Sequence, residues 1–315
     1  MKLGIICGFN YLNKFMSAIQ SYLPNNSTLG HFKTIKVIGG GGFSIVYLAE
    51  NTKTGEHVVI KEYFPAKLGK RAENLDVVAK TEKTEKYFKQ GRKLFFQEAS
   101  VLASLDHPSI VKVTDFCQAH ETIYTAMRYE KGISLQAYIK KKDTNRSEKF
   151  LVSIFLPILD ALKAVHEMGL LHLDLKPGNI YLRQGKPPLL LDFGAAHKLM
   201  LAAGTRMFPV VSHGFSPPEQ SKRNARLGPW SDLYAIGATI RACIESKPPP
   251  SAKERIKKNN MVPAIEAYKD QYSPQLLNAI DWTMNLEINK RPQSVDELSQ
   301  ILSEIRATLK NKNAA

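Results

Sequence analysis

Between Phe32 and Ile60, β-branched and aromatic residues come in two short runs, with four glycines, Gly39 to Gly42, after the first and a polar turn at 51–56. That pattern predicts antiparallel strands. Residues 62–93 are rich in lysine and poor in periodic apolar positions, which reads as a surface excursion ahead of a helix over 94–105. Two further strands are predicted at 110–117 and 123–129. Beyond Ser134 the pattern turns mostly helical, broken by short strands near 180–182 and 189–191 and by turns at Pro217, Pro218 and Pro248 to Pro250. The apolar segment 151–171 carries Asp160, Lys163, His166 and Glu167 at helical spacing, so it is expected as a buried amphipathic helix and not a membrane span. The fold class that results is α+β, a small β-rich lobe followed by a larger helical one. The breaker cluster Pro24 to Ser27 puts the start of the folded domain near Thr28. The expected layout is a leader over 1–27, a domain over 28–305 with lobes at about 28–129 and 133–305, and a basic tail over 306–315.

Composition narrows the classes. With 43% hydrophobic and 23% charged residues, the 315-residue chain reads as a folded globular protein. Its formal charge of +15 would favour phosphates, acidic proteins or an anionic surface. The basic residues are not interleaved with aromatics as a nucleic-acid groove requires, so no specific nucleic-acid partner is expected. The lysine-rich stretch 67–93 reads first as solvated surface, with docking of an acidic partner as the alternative. Cys7, Cys117 and Cys243 are few, odd in number and widely spread, which argues against a disulfide framework or zinc site. The apolar stretch Leu3 to Leu12 is interrupted by Asn10 and lacks a small-residue cleavage site, a poor signal peptide.

The chemistry is concentrated in a few segments. Ile38-Gly39-Gly40-Gly41-Gly42-Phe43-Ser44-Ile45-Val46-Tyr47 places glycines between two strands, where backbone amides can approach phosphates with no Cβ in the way. Alone it is equally a flexible hairpin tip. Val58-Val59-Ile60-Lys61 follows, ending in a lysine whose stem is half-buried and whose ammonium needs a counter-ion, for which Glu98 is the candidate. Farther on stand Leu171-His172-Leu173-Asp174-Leu175-Lys176-Pro177-Gly178-Asn179 and Leu191-Asp192-Phe193-Gly194. Phosphoryl transfer needs a carboxylate to accept a hydroxyl proton and oxygen ligands to hold Mg²⁺. Asp174 could supply the first, Asn179 and Asp192 the second.

Taken in order, these segments resemble the motif set of the eukaryotic-like (Hanks-type) protein kinases. Phe215-Ser216-Pro217-Pro218-Glu219, Arg291 and Asp232 extend the resemblance over nearly the whole chain as structural positions. Ile60 to Pro65, Gly228 to Asp232 and Tyr272-Ser273 resemble bacterial serine/threonine kinases in particular. The resemblance implies a bilobal kinase fold and a Ser/Thr kinase that uses ATP with Mg²⁺, or Mn²⁺, on protein substrates. It implies Asp174, Lys61, Lys176 and Glu98 as the catalytic set. It also implies ATP contacts from Ile38, Gly39, Gly40, Gly41, Gly42, Phe43, Val46, Lys61, Met127, Arg128, Glu130, Asn179 and Asp192, with Asn179 and Asp192 on the metal. Leu173 stands where many kinases place an arginine that pairs with a phosphorylated activation loop, so switching by loop phosphorylation at residues such as Thr205 is not expected. Ser212 resembles the hydroxyl residue that contacts the catalytic aspartate. A cytoplasmic location follows, with export into a host cytosol as the alternative. The rival functions are a pseudokinase scaffold and a small-molecule phosphotransferase of related fold.

Overall fold

The computed structural model describes residues 21–192, 211–222 and 225–312. They divide into two compact units, one formed by the chain up to Leu105 with Lys112–Tyr129, the other by Asp106–Val111 and the chain from Glu130 onward.

The first unit is built on six antiparallel strands: β1 Thr28–Leu29, β2 Phe32–Gly40, β3 Ser44–Asn51, β4 His57–Tyr63, β7 Val113–Ala119 and β8 Thr122–Arg128, in the spatial order β1-β2-β3-β4-β8-β7. A separate hairpin, β5 Gly69–Arg71 with β6 Val77–Ala79, leads into helix α1, Glu82–Ser104. The helix begins at Glu82 and not at Leu94 as the pattern predicts, so much of the lysine-rich stretch is ordered secondary structure. The early signal is faint for a physical reason: before Leu94 the buried face consists only of Phe88 and Gly91. Glu82 and Glu85 suit the positive helix N-terminus. Tyr63 bridges strand to helix, its ring 5.5 Å from Phe88 and 5.6 Å from Phe95, its hydroxyl donating to the Phe88 carbonyl at 3.1 Å.

Successive side chains on a strand face opposite ways, so Glu62 lies on the face of β4 opposite Lys61, together with Val58 and Ile60. A carboxylate among core residues needs full compensation. Glu62 has it: Arg71 Nη2 donates to both carboxylate oxygens at 2.8 and 2.7 Å, Tyr47 donates at 2.7 Å and Tyr124 at 2.8 Å. Burial, then the charge of Glu62, pushes both tyrosine hydroxyls up, so they remain protonated donors. The network also holds the incoming chain. Arg71 Nε donates to the Ser21 carbonyl at 2.8 Å, the Leu23 amide donates to Tyr47 Oη at 3.1 Å, and Leu23 is buried in the same core cluster. Residues 21–27, assigned from sequence to a leader, therefore pack as part of this unit.

The second unit is helical around a small sheet in which β10 Ile180–Arg183 pairs with β9 Gly132–Ser134 and β11 Leu189–Leu190. Helix α2, Leu135–Ile139, is followed by α3, Glu148–Glu167, which buries Leu151, Phe155, Ile158, Leu162 and Val165 and leaves Asp160 and Lys163 outside, as its periodicity predicts. Helix α4, Pro229–Glu245, is buried along most of its length. Its Gly237 is required by packing, since a Cβ there would meet Thr283 Oγ1 at 2.0 Å. Helices α5 Ala252–Lys257, α6 Ala264–Ala267 and α7 Pro274–Thr283 precede α8, Val295–Lys312, which packs on α3. The helix runs to Lys312, into the stretch expected as a tail; Leu298, Leu302 and Ile305 mark its buried face, and Lys310 and Lys312 suit its negative end. Among the described residues no helix is long and apolar enough to cross a membrane, and Cys117 and Cys243 are free thiols.

Removing one partner of a buried ion pair strands the other. Arg71→Ala is expected to cost about 3–5 kcal/mol in urea denaturation. Lys89→Ala, which breaks an exposed pair with Glu85, should leave the midpoint unmoved, and equal effects from the two would show that the buried network does not hold the first unit.

Candidate active site

In the first unit, β2 and β3 form the glycine hairpin, with Gly39 opposite Val46 and Gly40 opposite Ile45. A Cβ on Gly41 or Gly42 would meet no atom within 4 Å, and neither residue has a positive φ. Neither packing among the described residues nor a positive φ demands glycine at these two positions, and open space surrounds both. The tip is tied down from behind: Gly42 and Phe43 carbonyls accept from the Ala66 and Phe64 amides at 3.0 and 2.9 Å. Ile38 and Phe43 are exposed at the hairpin.

Lys61 sits at the centre of the sheet, between Val46 and Thr125. Its ammonium is 3.9 Å from Glu98 Oε1, with both side chains largely buried, and 5.5 Å from the Phe95 ring centroid. The contact is an ion pair beyond hydrogen-bond length. Met127 on β8 is half-buried and pairs with Val59 and Val113, while Arg128, exposed at the strand end, donates its amide to Lys112 O at 3.0 Å. Most of the basic side chains of the excursion are either solvated or used internally, as with Arg71 on Glu62 and Lys80 on the Ala66 carbonyl.

In the second unit, three donors converge on Asp174. Lys176 Nζ lies 2.8 and 2.7 Å from its two oxygens, Ser212 Oγ donates to Oδ1 at 2.6 Å, and Asn179 Nδ2 donates to Oδ2 at 3.0 Å and to the Asp174 carbonyl at 2.8 Å. Lys176 also donates to Ser212 Oγ at 3.1 Å, closing the ring. The sequence brings these groups close through the turn Pro177–Asn179, whose proline supplies a fixed φ at its start. Glu130, at the start of this unit's second stretch, pairs with Arg183 and Lys186, both at 3.1 Å. Burial would raise its carboxyl, but the Lys186 hydrogen bond and the charge of Arg183 hold it below the usual range.

Beneath this ring lies Asp232, fully buried on α4. Its carboxylate accepts from the His172 and Leu173 amides at 2.9 and 2.8 Å and contacts His166 Nε2 at 2.8 Å. Burial alone would raise its pKa, yet the His166 hydrogen bond, that ring's charge and the His172 contacts keep it low. His172 is fully buried. Its Nδ1 accepts from the Asp174 amide at 3.2 Å and its Nε2 faces the Leu191 carbonyl at 3.0 Å, which fixes a neutral ring protonated at Nε2. Burial pushes its pKa down, consistent with that form. Glu219 and Arg291 form a buried bidentate pair at 2.7 and 3.0 Å, with Ser231 donating to Glu219 at 2.9 Å.

The Asn179 amide nitrogen is committed to Asp174, which leaves its amide oxygen as a hard ligand. The Leu191 amide donates to the Asn179 carbonyl at 2.8 Å, so Asp192 follows one residue after a direct link to Asn179. No group of three or more His, Cys, Asp or Glu side chains suited to a metal occurs among the described residues. The side-chain oxygens of Asn179 and Asp192 are of the hard type that would suit Mg²⁺, which keeps waters and takes phosphate oxygens. Phe193, Gly194 and Thr205 lie outside the described residues. The roles of His166 and Gln220 have no signal in the sequence: His166 reads as one more polar helix position, and the Gln220 contact spans 47 residues.

A family described as Protein kinase domain matches residues 32–304. Serine/threonine-protein kinase D of Synechocystis is 30% identical over 89% of this chain and 53% of its own length. Serine/threonine-protein kinase pkn2 of Myxococcus xanthus is 26% identical over 89% of this chain and 33% of its own length. The chain thus spans about half or less of these relatives. Among solved structures, the apo form of PpkA-294 superposes with a TM-score of 0.79 at 33% identity, covering 90% of this chain and 99% of that one. The PknI kinase domain of Mycobacterium tuberculosis, a double mutant, shares the fold with a TM-score of 0.65 at 21% identity, covering 90% of this chain and 98% of that one.

His172 and Asp232, both held below their usual pKa ranges, make the fold less stable in acid. A histidine held neutral by burial gains its proton only on unfolding, so its contribution is full above the unfolded value of about 6.5 and is lost as pH falls below it. Asp232, depressed, loses its contribution only at lower pH. The urea midpoint should therefore drop between about pH 7.5 and about pH 5.5, and His172→Phe should remove that component. An unchanged slope in the variant would show that His172 is not buried neutral.

Proposed function

This chain belongs to the protein kinase family, and we propose that it transfers the γ-phosphoryl group of ATP to serine or threonine hydroxyls of proteins. The observation that carries the reading is the ring of Lys176, Ser212 and Asn179 around Asp174, because it aims one carboxylate edge and one ammonium at the same small volume. Asp174 would orient the acceptor hydroxyl and take its proton as the acceptor oxygen bonds to the γ-phosphorus and the bond from that phosphorus to the β,γ-bridging oxygen breaks, with ADP leaving. Lys176 would offset charge on the transferred group, and its bond to Ser212 keeps it there. Catalysis on this reading is mostly positioning.

In the first unit, Gly39–Gly42 with Ile38, Phe43 and Val46 would cover the nucleotide, and Lys61, oriented by Glu98, would hold its phosphates. Met127 and Arg128 would border the adenine. In the second unit, Asn179 and Asp192 would hold Mg²⁺, which when bound neutralises phosphate charge; Mn²⁺ has the same oxygen preference. Presence of each of these groups favours an enzyme over a scaffold, and the Glu219–Arg291 anchor of the Ser212–Ser221 segment favours a protein acceptor over a small one. Leu173 is buried and apolar at 3% exposure, so it offers no cation to a phosphorylated loop. Activity is then set without a phosphate on the segment that contains Thr205.

With γ-labelled ATP, Mg²⁺ and a generic basic protein, the wild type should label serine or threonine, and Asp174→Ala should lower the rate by roughly 100- to 10,000-fold. Folded, ATP-binding wild type that labels no protein would turn the reading toward a scaffold or a small-molecule acceptor. Phosphatase-treated protein should keep kcat within about twofold of untreated protein; a large loss would show that loop phosphate is required.

A further inference from the structure

The residue before Asp174 is in an unfavourable conformation. Leu173 has φ 59°, left-handed for a branched residue, and its side chain is buried at 3% exposure. Such a conformation persists only where the surroundings over-determine it. Here they do so from both sides. The Leu173 amide donates to Asp232 Oδ1 at 2.8 Å, and the Leu173 carbonyl accepts from Gln220 Nε2 at 2.6 Å.

That carbonyl belongs to the same planar peptide unit as the Asp174 amide. The Asp174 amide donates to His172 Nδ1 at 3.2 Å. The peptide that carries Asp174 is therefore pinned at its oxygen by Gln220 and at its N–H by His172. Without the Gln220 donor, the cheapest relief for Leu173 is rotation of this peptide, and rotation of this peptide turns the Asp174 side chain out of its ring.

Gln220 is well placed to resist. It is 5% exposed, in the turn Pro218–Ser221, and its neighbour Glu219 is held by Arg291 and Ser231. The described stretch that ends with this turn also carries Ser212, whose hydroxyl reaches Asp174 Oδ1, and Ser212 is itself held by the Ser216 hydroxyl, 3.0 Å from its amide. One stretch of chain thus fixes Asp174 twice, at the side chain through Ser212 and at the backbone through Gln220.

We infer that Gln220 is a positioning residue for Asp174, a neutral clamp that holds the strained Leu173 peptide in the orientation the reaction needs. The inference rests on the reading of Asp174 given above. Because donor and acceptor are both uncharged, the clamp needs no phosphate and does not titrate.

Gln220→Met keeps length and volume but removes the donor. It should lower kcat by roughly 10- to 100-fold, with KM for ATP within about twofold and little change in thermal midpoint. Gln220→Glu at neutral pH sets an acceptor against the Leu173 carbonyl and should lose at least as much. It serves as the second reading should the methionine variant fold poorly. A crystal structure of either folded variant should show Leu173 out of the left-handed region and Asp174 away from Ser212. Unchanged kcat, or kcat, KM and midpoint all worsening together, would overturn the clamp. If the wild type transfers no phosphate, the assigned activity fails, and the crystallographic arm still decides: Leu173 unmoved in the variants sinks the inference by itself.

Discussion

A single buried carboxylate, that of Asp232, underlies the geometry of the second unit. It has no exposure to water, and it is kept ionised there by two backbone amides and a histidine ring. Those two amides belong to His172 and Leu173, so the same interaction that satisfies a buried charge also dictates where the chain leads into Asp174. Charge-assisted bonds of this kind are shorter and about twice as strong as neutral ones, which is how a left-handed leucine can be maintained in a protein interior. Everything above it, the Lys176–Ser212–Asn179 ring included, is referenced to that anchor.

The first unit solves a comparable problem with a different device. Its Lys61 is placed by the register of a six-stranded sheet, and the next residue on the strand, Glu62, is locked by Arg71, Tyr47 and Tyr124. Strand alternation makes the two residues point opposite ways, so fixing one fixes the other through the backbone. Tyr63 then links the strand to α1, which carries Glu98 on its buried face.

What was legible in the sequence was local. The glycine hairpin, the strand ending at Lys61, and the spacing of Asp174, Lys176 and Asn179 on one turn are all set by residues near one another along the chain, and their chemistry shows in their types. The start of α1 was hidden because a lysine-rich face dilutes the period when only Phe88 and Gly91 mark the buried side. The packing of Ser21–Ser27 was hidden because what holds Leu23 is a tyrosine hydroxyl 24 residues away. The Gln220–Leu173 bond was hidden likewise: a glutamine after Glu219 has no pattern to announce its partner. Long-range hydrogen bonds leave no periodicity in a sequence.

The Glu62 network has a consequence for how such a sequence can change over time. Replacing a buried ion pair as a whole by well-packed apolar residues is often close to neutral, whereas losing either member alone strands a charge. Here losing Glu62 would also release the Tyr47 and Tyr124 hydroxyls, and losing Arg71 would release the Ser21 carbonyl. Truncating either member alone is therefore expected to cost more than replacing both together. The pair is thus expected to act as a ratchet: the surface around it is free to vary, whereas Glu62 and Arg71 can change at little cost only together.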